Sequence, residues 1–205
     1  CRVVKINGKA IDEVIETVKP IVPCDNEYSL KFNLPYYMVI AEFMNGLGVI
    51  TNPNEMELTV INNSGAEVTT KMDAIEMSNM QHNSGASDDN GLPLYMKNEA
   101  KNYWFEYLKD SKTLYINYKR VLNDPADSLK YFCKRLEEFI NANEIDKTII
   151  DIRNNGGGNN ATCQPFVNLI SNSAKVNQKG KLFVIIGRQT FSAASYLATK
   201  LEFNT

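Results

Sequence analysis

Residues 149–160 read IIDIRNNGGGNN, an apolar strand pattern running into Asp151 and Arg153, two asparagines and three consecutive glycines, Gly156, Gly157 and Gly158. Glycine loses more backbone freedom on folding than any other residue, so a run of three marks a place that needs bare backbone. A tight strand-to-helix turn with positive φ is the plain reading. A dinucleotide loop is a second, since Gly156, Gly158 and Ala161 fit G-x-G-x-x-A. However, Asp151 to Asn155 separate the strand from its first glycine, and the next strand ends at Gly187-Arg188 without a ribose-binding acid, which suits only a phosphorylated ribose. A phosphate loop fails because no Gly-Lys-Ser/Thr closes the run. The third chemistry is acyl transfer, in which glycine N–H groups face the negative charge that develops on an attacked carbonyl. Its nucleophile would be Ser192, where LFVIIGRQTF gives way to SAASYLA, with the Ala193 N–H beside it at a helix amino terminus. The plain reading of Ser192 is a helix N-cap.

Composition narrows the field. The 205 residues, 43% hydrophobic, suffice for one substantial core or two small ones. The chain has 22 basic and 24 acidic residues, and the absence of a basic run or an aromatic-interleaved basic patch argues against a nucleic-acid partner. No apolar stretch approaches the roughly 20 residues of a membrane-spanning helix. Cys1, Cys24, Cys133 and Cys163 are scattered, and His82 is the sole histidine, so no close-spaced metal-ligand pair exists and neither metal nor cofactor is expected. Four scattered cysteines leave the disulfide state open.

These candidates need elements to carry them. Residues 2–22 read as a strand, a turn at Asn7-Gly8 and an amphipathic helix through Ile11, Val14, Ile15 and Val18 that ends before Pro20. Helical spacing runs over 34–47, and residues 55–72 form a hairpin turning at Asn63-Ser64-Gly65. Residues 78–91 are polar and rich in turn formers. The chain therefore divides into an amino-terminal α+β module over 1–77, a linker over 78–102 and a second part over 103–205. In that part KTLYINYKRV is a strand, and Asp124-Pro125 caps a helix carrying Leu129, Phe132, Cys133, Leu136, Phe139 and Ile140 on one stripe. KTIIDIR, a helix over about 162–170, the strand KLFVIIGR and a helix from Ser192 follow. Alternation of this kind predicts a mainly parallel sheet with its chemistry at the carboxyl edge, where the glycine run and RQTFSAAS both lie. The aromatics of NYWFEYLKD read as packing residues.

IIDIRNNGGGNN followed by LFVIIGRQTFSAASYLA resembles the catalytic half of peptidase family S41, the C-terminal processing and tricorn-like serine peptidases, with their D-x-R-x-N-x-G-G and T-x-S-A-[AS] motifs. The resemblance covers about half the chain, from Tyr103 onward. VVKINGKAIDEV is similar, less specifically, to the end of the PDZ-like domain that precedes this core in many members. Gly46-Leu47-Gly48-Val49 is similar to the PDZ carboxylate-binding loop, with a helix C-cap as its plain reading.

The resemblance implies an α/β, crotonase-like core (α+β for the whole chain) behind a small PDZ-like domain, a polypeptide substrate and a bacterial, extracytoplasmic setting. It places Ser192 as nucleophile, with the Ala193 N–H and a Gly157 or Gly158 N–H as oxyanion hole. Asp151 and Arg153 then brace the loop. It also implies a base, a lysine well downstream of the serine in the processing branch or a histidine from an earlier segment in the tricorn-like branch. Lys200 lies eight positions along the serine's own helix, about 12 Å away at 1.5 Å per residue. His82 falls in the polar linker, and Glu202 has no better claim. The expectation is a fragment, with ends inside the parent protein, whose base lies outside this chain and which is inactive alone. A noncatalytic module binding peptides or small apolar ligands on the same core is the competing expectation.

Overall fold

The computed structural model describes residues 1–79 and 91–204. His82 and most of the polar stretch over 78–91 lie outside the described residues. The architecture is α+β with two four-stranded sheets, and the chain divides into two compact units, Cys1–Gly85 and Ala86–Thr205.

In the first unit β1 (Arg2–Ile6) turns at Asn7 and Gly8, both at positive φ, into β2 (Lys9–Ala10) and α1 (Ile11–Val18). The hairpin of β3 (Glu55–Ile61) and β4 (Glu67–Asp73) completes an antiparallel sheet of order β2-β1-β3-β4. Val14 and Val18 of α1 pack with Ile6, Met44, Val49 and Ile50 into one core. The helical spacing over 34–47 belongs to two helices, α2 (Glu27–Met38) and α3 (Ala41–Gly46). Helix α2 starts earlier than the apolar pattern because Asn26 and Ser29 form a capping box. Gly48, just after α3, terminates the helix: its φ is +69, its N–H donates to Asn45 O, and the Val49 N–H donates to Met44 O. That pair of bonds is a Schellman cap, so the carboxylate-loop reading of residues 46–49 gives way to the C-cap.

The second unit carries β5 (Tyr103–Leu108), β6 (Thr113–Tyr118), α4 (Leu129–Ala142), β7 (Lys147–Asp151), α5 (Gln164–Asn172), β8 (Leu182–Ile185) and α6 (Ala193–Asn204). Sheet order is β5-β6-β7-β8, with β5 antiparallel to β6 and the other two pairings parallel. Strand β6 (TLYINY), inside the sheet, is buried along its whole length, its polar Thr113 and Asn117 included. Tyr103, Leu114, Ile116, Tyr118 and Ile150 share a core with the apolar stripes of α4, α5 and α6. Strand β5 contains the aromatic segment read only as packing, and it pairs Trp104 with Asn117 and Phe105 with Ile116. Helix α4 begins at Leu129, capped by Ser128. Asp124 instead closes a local turn by accepting from the Ala126 N–H at 2.9 Å.

Candidate functional site

Strand β7 ends in a charged pair sealed at the carboxyl edge. Asp151 is 2% exposed. Its Oδ1 accepts from the Arg153 N–H at 3.1 Å and Nε at 3.0 Å, and its Oδ2 accepts from Arg153 Nη2 at 2.8 Å and the Tyr115 hydroxyl at 2.8 Å. A buried carboxylate is tolerated when hydrogen bonds of this kind surround it. The bond to Asp151 is the main reason the Arg153 pKa rises above its ordinary value. Burial drives the Tyr115 pKa far up, with Asp151 adding to it, so its phenol remains a neutral donor. The guanidinium carbon stands 4.5 Å from the Tyr95 ring centroid. Both carboxylate oxygens are committed, and three nitrogens of Arg153 bond to them, so the pair braces the loop that follows.

Asn155, fully buried, ties that loop to its surroundings. Its Nδ2 donates to Tyr118 O at the end of β6 (2.7 Å), its Oδ1 accepts from the Gly157 N–H (2.9 Å), and its carbonyl accepts from the Phe191 N–H (3.1 Å). One side chain and one carbonyl thus join three segments. The Gly157 N–H is consequently engaged, whereas Gly158 is open. The Val121 N–H donates to Gly157 O (2.8 Å) and the Asn159 N–H to Val121 O (2.7 Å), a parallel bridge that leaves the N–H of Gly158 without a partner among the described residues.

The bend brings glycine and serine together. Gly157 has φ +104, and a Cβ there would lie 2.8 Å from Phe191 O, 2.9 Å from Ser192 Cβ and 3.0 Å from Ala193 N. Gly158 has φ +140, and its Cβ would fall 2.3 Å from Val121 O. Bare backbone is therefore needed so that the bend can lie directly against the serine loop on one side and Val121 on the other.

The serine loop is clamped by Thr190. Its hydroxyl donates to Ile152 O at 2.8 Å and accepts from the Gly187 N–H at 2.9 Å. Ser192 is an exposed non-glycine residue at φ +55, its hydroxyl bonds to no described residue, and α6 begins immediately after it. A capping residue has extended φ/ψ and accepts from the first helical N–H groups, so Ser192 is not a cap. The Ala193 N–H has no partner among the described residues and lies at the amino end of a twelve-residue helix, where the backbone dipole favours negative charge. The structure thus gathers Gly157, Ser192 and Ala193, with Gly158 next in sequence, and leaves the Ser192 hydroxyl and the N–H groups of Gly158 and Ala193 without partners among the described residues, Ala193 itself being 1% exposed.

No histidine or lysine among the described residues bonds that hydroxyl. The ammonium of Lys200 sits 5.2 Å from the Tyr196 ring centroid, and Glu202 is exposed further along α6. Among the described residues no group of metal-ligating side chains assembles, and no described helix is long and apolar enough to cross a membrane. Sequence reasoning assigned no role to Asn155 or Thr190, although both stand in the quoted motifs. Val121 and Leu122 carried no sequence signal.

No family model matches this chain, and no curated protein matches it. Among solved structures the chain is similar to mature CPAF, determined in complex with lactacystin, at a TM-score of 0.43 and 12% identity. The similarity covers 82% of this chain and 37% of the CPAF chain, so the chain spans little more than a third of that protein's length.

Proposed function

We propose that this chain is the nucleophile-bearing part of an S41-type serine peptidase acting on polypeptides, with a crotonase-like second unit and a PDZ-like first unit that helps present substrate. Ser192 attacks the carbonyl, and the N–H groups of Ala193 and Gly158 receive the oxyanion. The general base comes from outside these residues. The observation that carries this reading is the meeting of the triple-glycine bend with Ser192: the missing Gly157 Cβ would stand 2.9 Å from Ser192 Cβ and 3.0 Å from Ala193 N. Two donors aimed at one developing charge are the largest single contribution in acyl transfer, and loss of one typically costs about 2.7 to 4 kcal/mol of transition-state stabilisation. Gly157, whose own N–H is held by Asn155, acts as the spacer that permits the approach.

The test is hydrolysis of an unfolded polypeptide by the full-length parent protein and by its Ser192→Ala variant. Loss of turnover is expected, and retained turnover overturns the reading. That no described residue bonds the Ser192 hydroxyl, and so none serves as its base, also favours a second reading, a noncatalytic site that captures peptides without cleaving them. In that case the parent binds the polypeptide and releases it intact.

A further inference from the structure

Two large apolar side chains, on residues adjoining the Gly158 and Ala193 N–H groups, are exposed. Leu122 is 44% exposed and Phe191 52% exposed, large fractions for side chains of this kind. Neither position is incidental. Leu122 follows Val121, whose backbone pairs across Gly157 to Asn159, and its Cγ lies 3.1 Å from where a Gly158 Cβ would stand. Phe191 precedes Ser192, and its N–H is held by Asn155 O. The two side chains belong to the residues that flank the two open donors.

We infer that Leu122 and Phe191 form an apolar subsite for the side chain of the residue whose carbonyl is attacked. This rests on the reading of Ser192, Ala193 and Gly158 given above. A carbonyl oxygen received by the two N–H groups lies about 3 Å from each. The α-carbon of the same residue is one bond, about 1.5 Å, from the carbonyl carbon. Its side chain is therefore confined to the first layer of groups around Gly158 and Ser192, where Leu122 Cγ lies against Gly158 and the exposed Phe191 directly precedes the serine. An aliphatic side chain covers both and leaves water, whereas a carboxylate or ammonium there loses hydration without a partner. The preferred residue is aliphatic, and leucine against aspartate is separated by at least about tenfold in affinity.

A product-like peptide tests this without any catalytic base, because its terminal carboxylate offers the same donors a permanent negative charge. The probes are acetyl-Ala-Ala-Leu, acetyl-Ala-Ala-Asp and acetyl-Ala-Ala-Lys with free carboxyl ends, titrated into the isotopically labelled 205-residue chain while the Gly158 and Ala193 amide resonances are followed. The leucine peptide is expected to move both resonances and to bind about tenfold or more tightly than the other two. Leu122→Asn and Phe191→Ser, each checked for native Trp104 fluorescence, are expected to reduce that preference several-fold. If all three peptides move the resonances equally, or if the preference survives both substitutions, the apolar subsite is wrong while the donor pair stands. If no peptide moves either resonance at millimolar concentration, the donor pair fails, and the subsite with it.

Discussion

The three adjacent glycines offer an internal control for the account of the bend. A Cβ at Gly156 would meet nothing within 4 Å, and its φ lies outside the left-handed region. At Gly157 the added carbon meets backbone at 2.8 and 3.0 Å with φ +104, and at Gly158 it meets the Val121 carbonyl oxygen at 2.3 Å with φ +140. Gly156→Ala is therefore expected to be neutral, or to stabilise by about 0.4 to 1 kcal/mol through the unfolded chain. Gly157→Ala combines a residue forced into a sparsely populated φ region, about 1 to 3 kcal/mol, with contacts that only a backbone shift relieves. Its expected cost is about 2 to 4 kcal/mol. At Gly158 the shift must also break the Val121–Gly157 and Asn159–Val121 bonds, each contributing about 1 kcal/mol, which raises the cost to about 4 to 6 kcal/mol. The assay is urea unfolding followed through Trp104, the sole tryptophan, 5% exposed on β5 and so a reporter of the second unit alone. Equal midpoints for the three variants, or a Gly156→Ala variant as unstable as the other two, would refute the packing argument.

Asn155→Leu is expected to destabilise the second unit by about 2 to 4 kcal/mol in the same assay, because it strands the buried Tyr118 carbonyl and Gly157 N–H together. Asp127 is held below its usual carboxylate range chiefly by its hydrogen bonds to Arg135. Its folded pKa lies under the unfolded one, so the pair's contribution is present above the unfolded pKa, near 3.9, and is lost as pH falls through the folded value. The partners are 33% and 51% exposed, which limits that contribution to about 1 kcal/mol or less, and Asp127→Asn should flatten the acid limb of the stability profile by that amount. Burial pushes the Cys133 thiol up to about 12, and Cys163 is raised for the same reason, while Cys1 and Cys24 are exposed. Iodoacetamide at pH 8 should therefore alkylate Cys1 and Cys24 in the native chain and reach Cys133 and Cys163 only in urea, as read by mass spectrometry.

Much of the second unit is legible because its signals are local. The stripe on α4, the β-branched and aromatic run of β6 and the switch from strand to helical spacing at Ser192 each follow from the local residue pattern alone. Strand β5 escapes because YWFEYL alternates large residues on both faces: Trp104 and Tyr103 are both buried, so no polar face marks it as half-exposed. The start of α4 escapes because Asp124-Pro125 has the chemistry of a cap but spends it on a turn, four residues before Ser128. At the site, glycine content signals that bare backbone is required, yet only coordinates tell which N–H is free. Asn155 takes that of Gly157, and the bridge to Val121, distant in sequence, leaves that of Gly158 without a partner among the described residues.

Ser192 provides the sharpest test of whether stability or chemistry explains its side chain. A non-glycine residue at φ +55 bears a penalty of order 1 to 2 kcal/mol in the left-handed region, and glycine there bears none. Ser192→Gly relieves that strain while adding about 0.4 to 1 kcal/mol of unfolded-state entropy. Since the hydroxyl bonds to nothing described and the residue is exposed, no lost contact enters the balance. The glycine variant should match the parent chain or exceed it by up to about 1 kcal/mol in urea unfolding. Ser192→Val, β-branched at the same φ, should fall about 1 to 2 kcal/mol below it. A glycine variant that is less stable by more than 1 kcal/mol would mean that the hydroxyl holds the loop together, and the serine would then be structural. Equal or greater stability leaves an exposed serine in the left-handed region, against the Gly157 bend, with no structural reason to be there. That is the condition under which backbone strain points to function.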